Sequence, residues 1–143
     1  MSFVKKWIIA AGIPALALGA SLASAHHSAA QFDFSKRITV EGTVERFEVK
    51  NPHAAAVISV KDAKGTHNVE YEGHSASHFY RAGYTRDMVH VGDKISILIA
   101  PRRDGADGGF IQAFTVNGKT VGFGGLSPES GKPAASGAAA PSK

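Results

Sequence analysis

The chain has 143 residues, 43% of them hydrophobic, with 16 lysines and arginines against 12 aspartates and glutamates, seven histidines and no cysteine. This is enough for one small domain and not for two, and the lack of cysteine excludes disulfide scaffolds, thiolate metal sites and a lipid-modified cysteine anchor. The formal net charge of +4 is small for a nucleic-acid-binding surface.

Residues 1–25 follow the three-part pattern of a cleavable signal peptide: Lys5 and Lys6, then an uncharged apolar stretch from 8 to 22, then Ala23-Ser24-Ala25 as a small-x-small processing site. The apolar stretch is shorter than the roughly 20 residues a spanning helix needs, and it contains Gly12, Pro14 and Gly19, so no membrane anchor is expected after processing. Cleavage after Ala25 makes His26 the first residue and leaves a charge of about +2. A cut after Ala23 obeys the same rule and starts the chain Ser24-Ala25-His26. Either way the expected location is periplasmic or secreted.

Residues 38–49 are predicted as a long first strand, with Ile38, Val40, Gly42 and Val44 on one face and Phe47 and Val49 on the opposite parity, which implies a bulge near Glu45-Arg46. Asn51-Pro52 marks a turn. Residues 54–61 alternate around Ala56, Ile58 and Val60, and Asp62-Ala63-Lys64-Gly65 closes a hairpin into a third strand over 66–72. Ser75 is the expected N-cap of a short helix carrying Phe79 and Tyr80 and stopped by Gly83. A fourth strand, 94–100, places Ile95, Ile97 and Ile99 on one face; a fifth, 110–116, follows a Gly-rich loop and ends at the Asn117-Gly118 turn. Three strands, a helix and two strands predict a mostly β fold: a small five-stranded OB-like antiparallel barrel with one short helix between strands three and four. The expected organisation is a single β-barrel domain over 26–126 with an N-terminal arm, in which Phe32 and Phe34 dock the arm to the barrel. Residues 127–143, small and rich in Pro and Gly without apolar periodicity, are expected to form a disordered tail.

The histidines carry the functional expectation. At a terminus beginning with His26, the α-amine and the imidazole can chelate one metal ion, with His27 adding a nitrogen next door; both groups shed protons cheaply near neutral pH. A start at Ser24 would bind copper(II) through amine, backbone amides and the His26 imidazole. His53, held at the rim by Pro52, is the further candidate ligand, and the segment from His26 to Ile38 can extend up to about 40 Å, far enough to reach it. With nitrogen ligands, no cysteine and one thioether, Met88, beyond the signal peptide, the expected ion is copper(II), then nickel or zinc.

The remaining histidines are weaker candidates. His74 and His78 are spaced i, i+4, but a helix capped at Ser75 leaves His74 outside it; His67 shares the parity of Val69 and Tyr71, and His90 precedes an exposed turn. No nucleophile elbow or phosphate loop is present. Glu41, Glu45, Glu70 and Glu72 fall at outward strand positions and are expected to form a solvated face. The expected function is therefore non-enzymatic, binding of a divalent ion through His26, His27 and His53. Copper-dependent oxidation is the enzymatic alternative. The other alternative is an OB-like module that binds an anionic ligand or a periplasmic protein partner without metal, using Arg81, Arg86, Arg102 and Arg103 as its rim.

The chain also resembles a family of short exported proteobacterial proteins known as a domain of unknown function. The resemblance rests on Ala25-His26-His27-Ser28, Phe32-Asp33 with Lys36, Glu41-Gly42-Thr43-Val44, Asn51-Pro52-His53, Arg81-Ala82-Gly83-Tyr84-Thr85-Arg86-Asp87, Gly92-Asp93-Lys94 and Pro101-Arg102-Arg103-Asp104-Gly105. It implies one compact exported domain and brings no established activity. The chain departs from the family's pattern at Ala54-Ala55-Ala56 and Val69-Glu70-Tyr71, where Trp-containing segments are usual.

Overall fold

A computed structural model describes residues 29–133. The expected signal peptide, His26, His27 and the last ten residues of the expected tail lie outside this range. Strand β1 (Ile38–Glu48) is followed by β2 (Ala55–Asp62), β3 (Gly65–Glu72), helix α1 (Ala76–Arg81), β4 (Lys94–Pro101), β5 (Gly109–Val116), β6 (Lys119–Gly122), a 3-10 turn (Pro128–Ser130) and β7 (Lys132–Pro133). The fold is mostly β with one short helix between the third and fourth strands, as expected.

Five strands close a ring. β1 pairs antiparallel with both β2 and β4, β2 with β3, and β4 with β5, while β3 and β5 meet in parallel through Tyr71↔Gly109 and Glu72↔Phe110. β1 serves two neighbours because it bends. Its first half, Ile38 to Thr43, faces β4, its second half faces β2, and the register shifts between Val44 and Arg46. The extra residue of such a bulge reverses side-chain parity, so Val40, Val44 and Phe47 all turn to the core despite their mixed spacing. Gly42 lets β1 cross close to β2: a Cβ there would lie 2.5 Å from both Ile58 Cγ2 and the Ser59 carbonyl oxygen.

The ring is filled by Ile58, Val60, Tyr71, Ile97, Ile99, Ile111 and Phe114, each at most 1% exposed. α1 covers one end of the ring through Phe79, whose fully buried ring meets Phe47, Tyr84, Phe114 and Phe123 at centroid distances of 5.0 to 6.2 Å. Ser75 stands at the N-cap and Gly83, at φ +97°, ends the element in a conformation that favours glycine.

Among the described residues two short strands, β6 and β7, add to the five that were expected. Asn117 and Gly118, at φ 49° and 73°, make the tight turn that returns the chain as β6 alongside β5. A second correction concerns the expected tail, whose first part is folded. Leu98 faces outward on β4, opposite in parity to Ile97 and Ile99, yet it is fully buried. The 3-10 turn and Gly131 cover it, Gly131 lying so close that any side chain there would collide with Leu98 and Thr39. The Lys132 N–H then donates to the Arg37 carbonyl and β7 pairs with β1. Burial of one leucine side chain, about 1.5–3 kcal/mol, offsets part of the ordering cost of this short segment, which its composition alone does not reveal.

Candidate functional site

The arm before β1 is docked. Phe32 forms an isolated antiparallel bridge with Arg102; the Asp33 N–H donates to the Pro101 carbonyl at 2.8 Å, and the Arg103 N–H donates to the Gln31 carbonyl at 2.8 Å. Phe32 is 2% exposed and packs with Ala100 and Phe110, its ring centroid 5.5 Å from that of Phe110. Phe34 also meets Phe110 at 5.5 Å and Phe32 at 6.4 Å, closing a triangle of rings, and stays exposed. The expected docking by Phe32 and Phe34 is thus realised, with Phe110 as the receiving residue.

Docking aims Gln31 at a row of polar groups. Its Nε2 donates to Glu72 Oε2 at 3.4 Å and its Oε1 accepts from Arg102 Nη1 at 3.3 Å. Arg102 in turn grips Asp104 with Nε and Nη2, at 3.1 and 2.7 Å. Those bonds hold the Asp104 carboxyl below its ordinary range. On the other side of Glu72, Oε1 stands 3.7 Å from His53 Nδ1.

His53 lies on the turn between β1 and β2, after the cis Asn51–Pro52 bond. That turn is fastened to the start of α1, because the Ala76 N–H is shared between the Lys50 carbonyl and Asn51 Oδ1, both at 3.2 Å. The imidazole is half-buried, and its Nδ1 is sealed from solvent without a hydrogen-bond partner. His53, Phe32, Tyr71, Glu72, Arg102 and Asp107 all line a cleft of about 450 Å³ between the β2–β3 hairpin and the β4–β5 loop. The Tyr71 hydroxyl is also buried without a partner; burial first, and then the charge of Asp107, push its pKa up.

The other histidines take different environments. His74 is half-buried against Phe110 and Phe123, at 4.8 and 4.3 Å, and its ring stacks on that of His78 at 5.3 Å. Desolvation, then the nearby His78 and His53, lower its pKa. Stacked rings do not converge their nitrogens on one ion, and His78 Nδ1 is already within 2.8 Å of Ser75 Oγ. His67 is flanked by Asp62 and Asp107, each 3.7 Å from one ring nitrogen. His90 is exposed beside Asp93.

Among the described residues no group of three or more histidines or carboxylates is arranged to hold a metal ion. Of the three expected ligands, His53 is in the cleft, while His26 and His27 lie outside the described residues. The docked arm sets only an upper bound on how far from it they can lie. Four residue steps separate His27 from Gln31, a span of at most about 14 Å, and Gln31 is one carboxylate away from His53. Of the four arginines of the expected rim, Arg102 lines this cleft, bonded to Asp104 and Gln31; Arg103 donates to the Ala30 carbonyl, Arg86 to the Tyr80 hydroxyl, and Arg81 is exposed. Glu41, Glu45 and Glu70 are exposed as expected, but Glu72 is half-buried beside His53. Its role and that of Gln31 were not read from the sequence; the register of the β2–β3 hairpin held the signal for Glu72.

Among the described residues no helix is long and apolar enough to cross a membrane. Comparison with curated proteins and with solved structures gives no match. A family model does match, over residues 11–112, a span that runs from before the two N-terminal histidines through His53, Glu72 and the arginine-bearing loop into β5. The chain belongs to the family of unknown function DUF6152.

Proposed function

We propose that this chain is an exported, non-enzymatic binding protein that holds copper(II) or a similar divalent ion with His26 as anchor and His27 and His53 as completing ligands, working in the periplasm or outside the cell. The observation that carries this reading is the docking of the arm. Without it, a terminal His-His pair would be a tethered chelate free to sample a wide volume. With Gln31 held beside Glu72, the pair is confined to within reach of a half-buried imidazole whose Nδ1 lacks a partner.

The architecture fits the same reading. We take the ring as an OB-like five-stranded barrel elaborated by β6 and β7, since the pairing order closes β1-β2-β3-β5-β4 back on β1. In such barrels the β1–β2 and β4–β5 loops flank the ligand face, and here those loops supply His53 and the Arg102–Asp104 pair. Amine and imidazole nitrogens without thiolates select copper(II) ahead of nickel or zinc. In the anion-binding alternative Arg102 is the arginine of the cleft, and its charge is already paired with Asp104.

The test is a copper(II) competition titration followed by electron paramagnetic resonance on protein with an authentic His26 terminus, beside a version with one glycine before His26. Tight binding of one ion, weakened and spectrally altered by the added glycine, supports the site. Equal weak binding by both proteins, or none, refutes it and turns attention to an anionic or protein partner.

A further inference from the structure

The cleft beside β3 is longer than a single ion needs, and its charges do not cancel. Its lining follows the strand from Asn68 to Glu72, at about 3.3 Å per residue, and Asn68, Glu70 and Glu72 alternate and so share one face. The parallel pairing of Tyr71 with Gly109 runs the β4–β5 loop alongside. Asp107, two residues before Gly109, stands at the Asn68 end, with its Oδ2 3.7 Å from His67 Nε2. Glu72 and Asp107 therefore mark the two ends of the cleft, roughly 10 Å apart by this register.

Of the charges that line it, Glu70 is paired with Arg46 at 3.3 Å and Arg102 with Asp104 at 2.7 Å. Among the described residues, Glu72 and Asp107 have no lysine or arginine at ion-pair distance. Their neighbours are His53 and His67, which carry charge only when protonated. In a chain whose formal net charge is +4, the cleft is a local acidic patch.

Carboxylates alone could be met by solvent, and it is Tyr71 that points to a ligand. It lines the same cleft, it is 0% exposed, and its hydroxyl has no hydrogen-bond partner. Burial and then the charge of Asp107 raise its pKa, which places that carboxylate close by. A buried hydroxyl without a partner is costly. A donor brought to Asp107 would also serve the phenol oxygen, which accepts as well as donates. Phe32, Ala54 and Ala55 add apolar wall for a hydrocarbon chain.

We propose that this cleft binds a linear aliphatic polyamine, with one ammonium held by Glu72, another by Asp107 and the Tyr71 hydroxyl, and the carbon links lying against Phe32 and the two alanines. An ammonium only donates and a carboxylate only accepts, so the pairing has one sense. A monoamine would satisfy one end and leave the other carboxylate unpaired. This inference goes beyond the metal-binding reading and does not rest on it, since no residue of the terminus takes part.

The experiment titrates spermidine into the protein as the cell produces it, freed of metal on a chelating resin, with binding followed by calorimetry. It is repeated with Asp107→Asn, Glu72→Gln, Tyr71→Phe and, as a control outside the cleft, the exposed Glu41→Gln. Urea unfolding confirms that each variant folds; Tyr71→Phe keeps the ring and loses no hydrogen bond. One spermidine per chain is expected. Each of the three cleft substitutions should weaken it about tenfold or more, the worth of a hydrogen bond to a charged group, and Glu41→Gln should not. Spermidine acetylated at both ends, which keeps the carbon chain and loses the terminal charges, should also bind about tenfold more weakly or worse.

A Tyr71 hydroxyl with no part in binding would leave affinity unchanged in Tyr71→Phe, and that result overturns the proposal. Absence of binding, undiminished binding by Asp107→Asn, or equal weakening by Glu41→Gln overturns it too. So does tighter binding of a glycine-lysine peptide of equal charge, which would make the cleft a protein-docking groove. Because the protein is metal-free throughout, failure here leaves the copper(II) reading as it stood, and failure of copper(II) binding leaves this one.

Discussion

Glu72 stands 3.7 Å from His53 Nδ1 because the β2–β3 hairpin keeps its register beyond its last ladder pair. Ala55 pairs with Glu72, and the bonds from the Ala54 N–H to the His74 carbonyl and from the Gly73 N–H to the Ala54 carbonyl carry the pairing outward. Alternate residues share a face, so residue 53 comes to lie beside residues 72 and 74. The acidic partner and the second histidine of this corner are therefore set by the hairpin.

Replacing His53 by alanine should weaken copper(II) binding at least tenfold, about 1.4 kcal/mol, while leaving the fold intact. The side chain is 30% exposed and its nitrogen Nδ1 makes no hydrogen bond, so urea unfolding of the metal-free variant should agree with wild type within about 0.5 kcal/mol. Retained affinity would remove His53 from the ligand set.

Phe32→Ala should be costly although Phe32 precedes the first strand. The ring is 2% exposed between Ala100 and Phe110, and truncating a buried phenylalanine costs about 3–5 kcal/mol. Equilibrium urea unfolding measures the loss, and copper affinity should fall in the same variant because the arm is released. A loss below about 1 kcal/mol would mean that the arm is not part of the cooperative unit.

Gly42→Ala should destabilise the protein by about 1–3 kcal/mol, the range for overpacking a tight site. The added methyl would be 2.5 Å from a backbone oxygen of β2 as well as from Ile58, and backbone on a paired strand cannot rotate away. A thermal melt indistinguishable from wild type would show that β1 and β2 are further apart at their crossing than described.

Acid should destabilise the fold partly through His74. Its pKa is lowered in the folded protein by desolvation and by His78 and His53, so between that lowered value and the ordinary 6.5 the unfolded chain binds more protons than the folded one. The contribution is fully present above pH 6.5 and is lost as pH falls through the folded value. His74→Phe, which suits the contacts with Phe110 and Phe123, should flatten this part of the stability profile in urea midpoints from pH 7.5 to 4.5. An unchanged slope would assign the acid sensitivity to other groups.

Periodicity made the ring strands legible, including the bulge of β1, because core burial imposes parity and any extra residue must reverse it. The parity of Val40, Val44 and Phe47 announced the bend that the register shift between Val44 and Arg46 displays. Two short strands escaped for a different reason. β6 has one buried side chain, Val121, and β7 follows a turn whose burial depends on Leu98, a residue about thirty positions earlier. Local pattern cannot report a cover supplied from elsewhere. At the site, His53 was legible as a histidine in a proline turn. Glu72 looked like Glu70, two residues before it, because both alternate outward; only the continued hairpin register and the docked arm separate the half-buried carboxylate from the solvated one.

The parallel contact between β3 and β5 consists of two residue pairs, Tyr71↔Gly109 and Glu72↔Phe110, whereas the antiparallel seams of the ring are longer. It is therefore the seam that opens most readily, and opening would present two strand edges, each a template for pairing with another copy of the chain. The arm spans it, Gln31 gripping Glu72 on one side and Phe32 lying against Phe110 on the other. It thus acts as a clasp against edge-to-edge aggregation, a duty it performs with or without a ligand at its end.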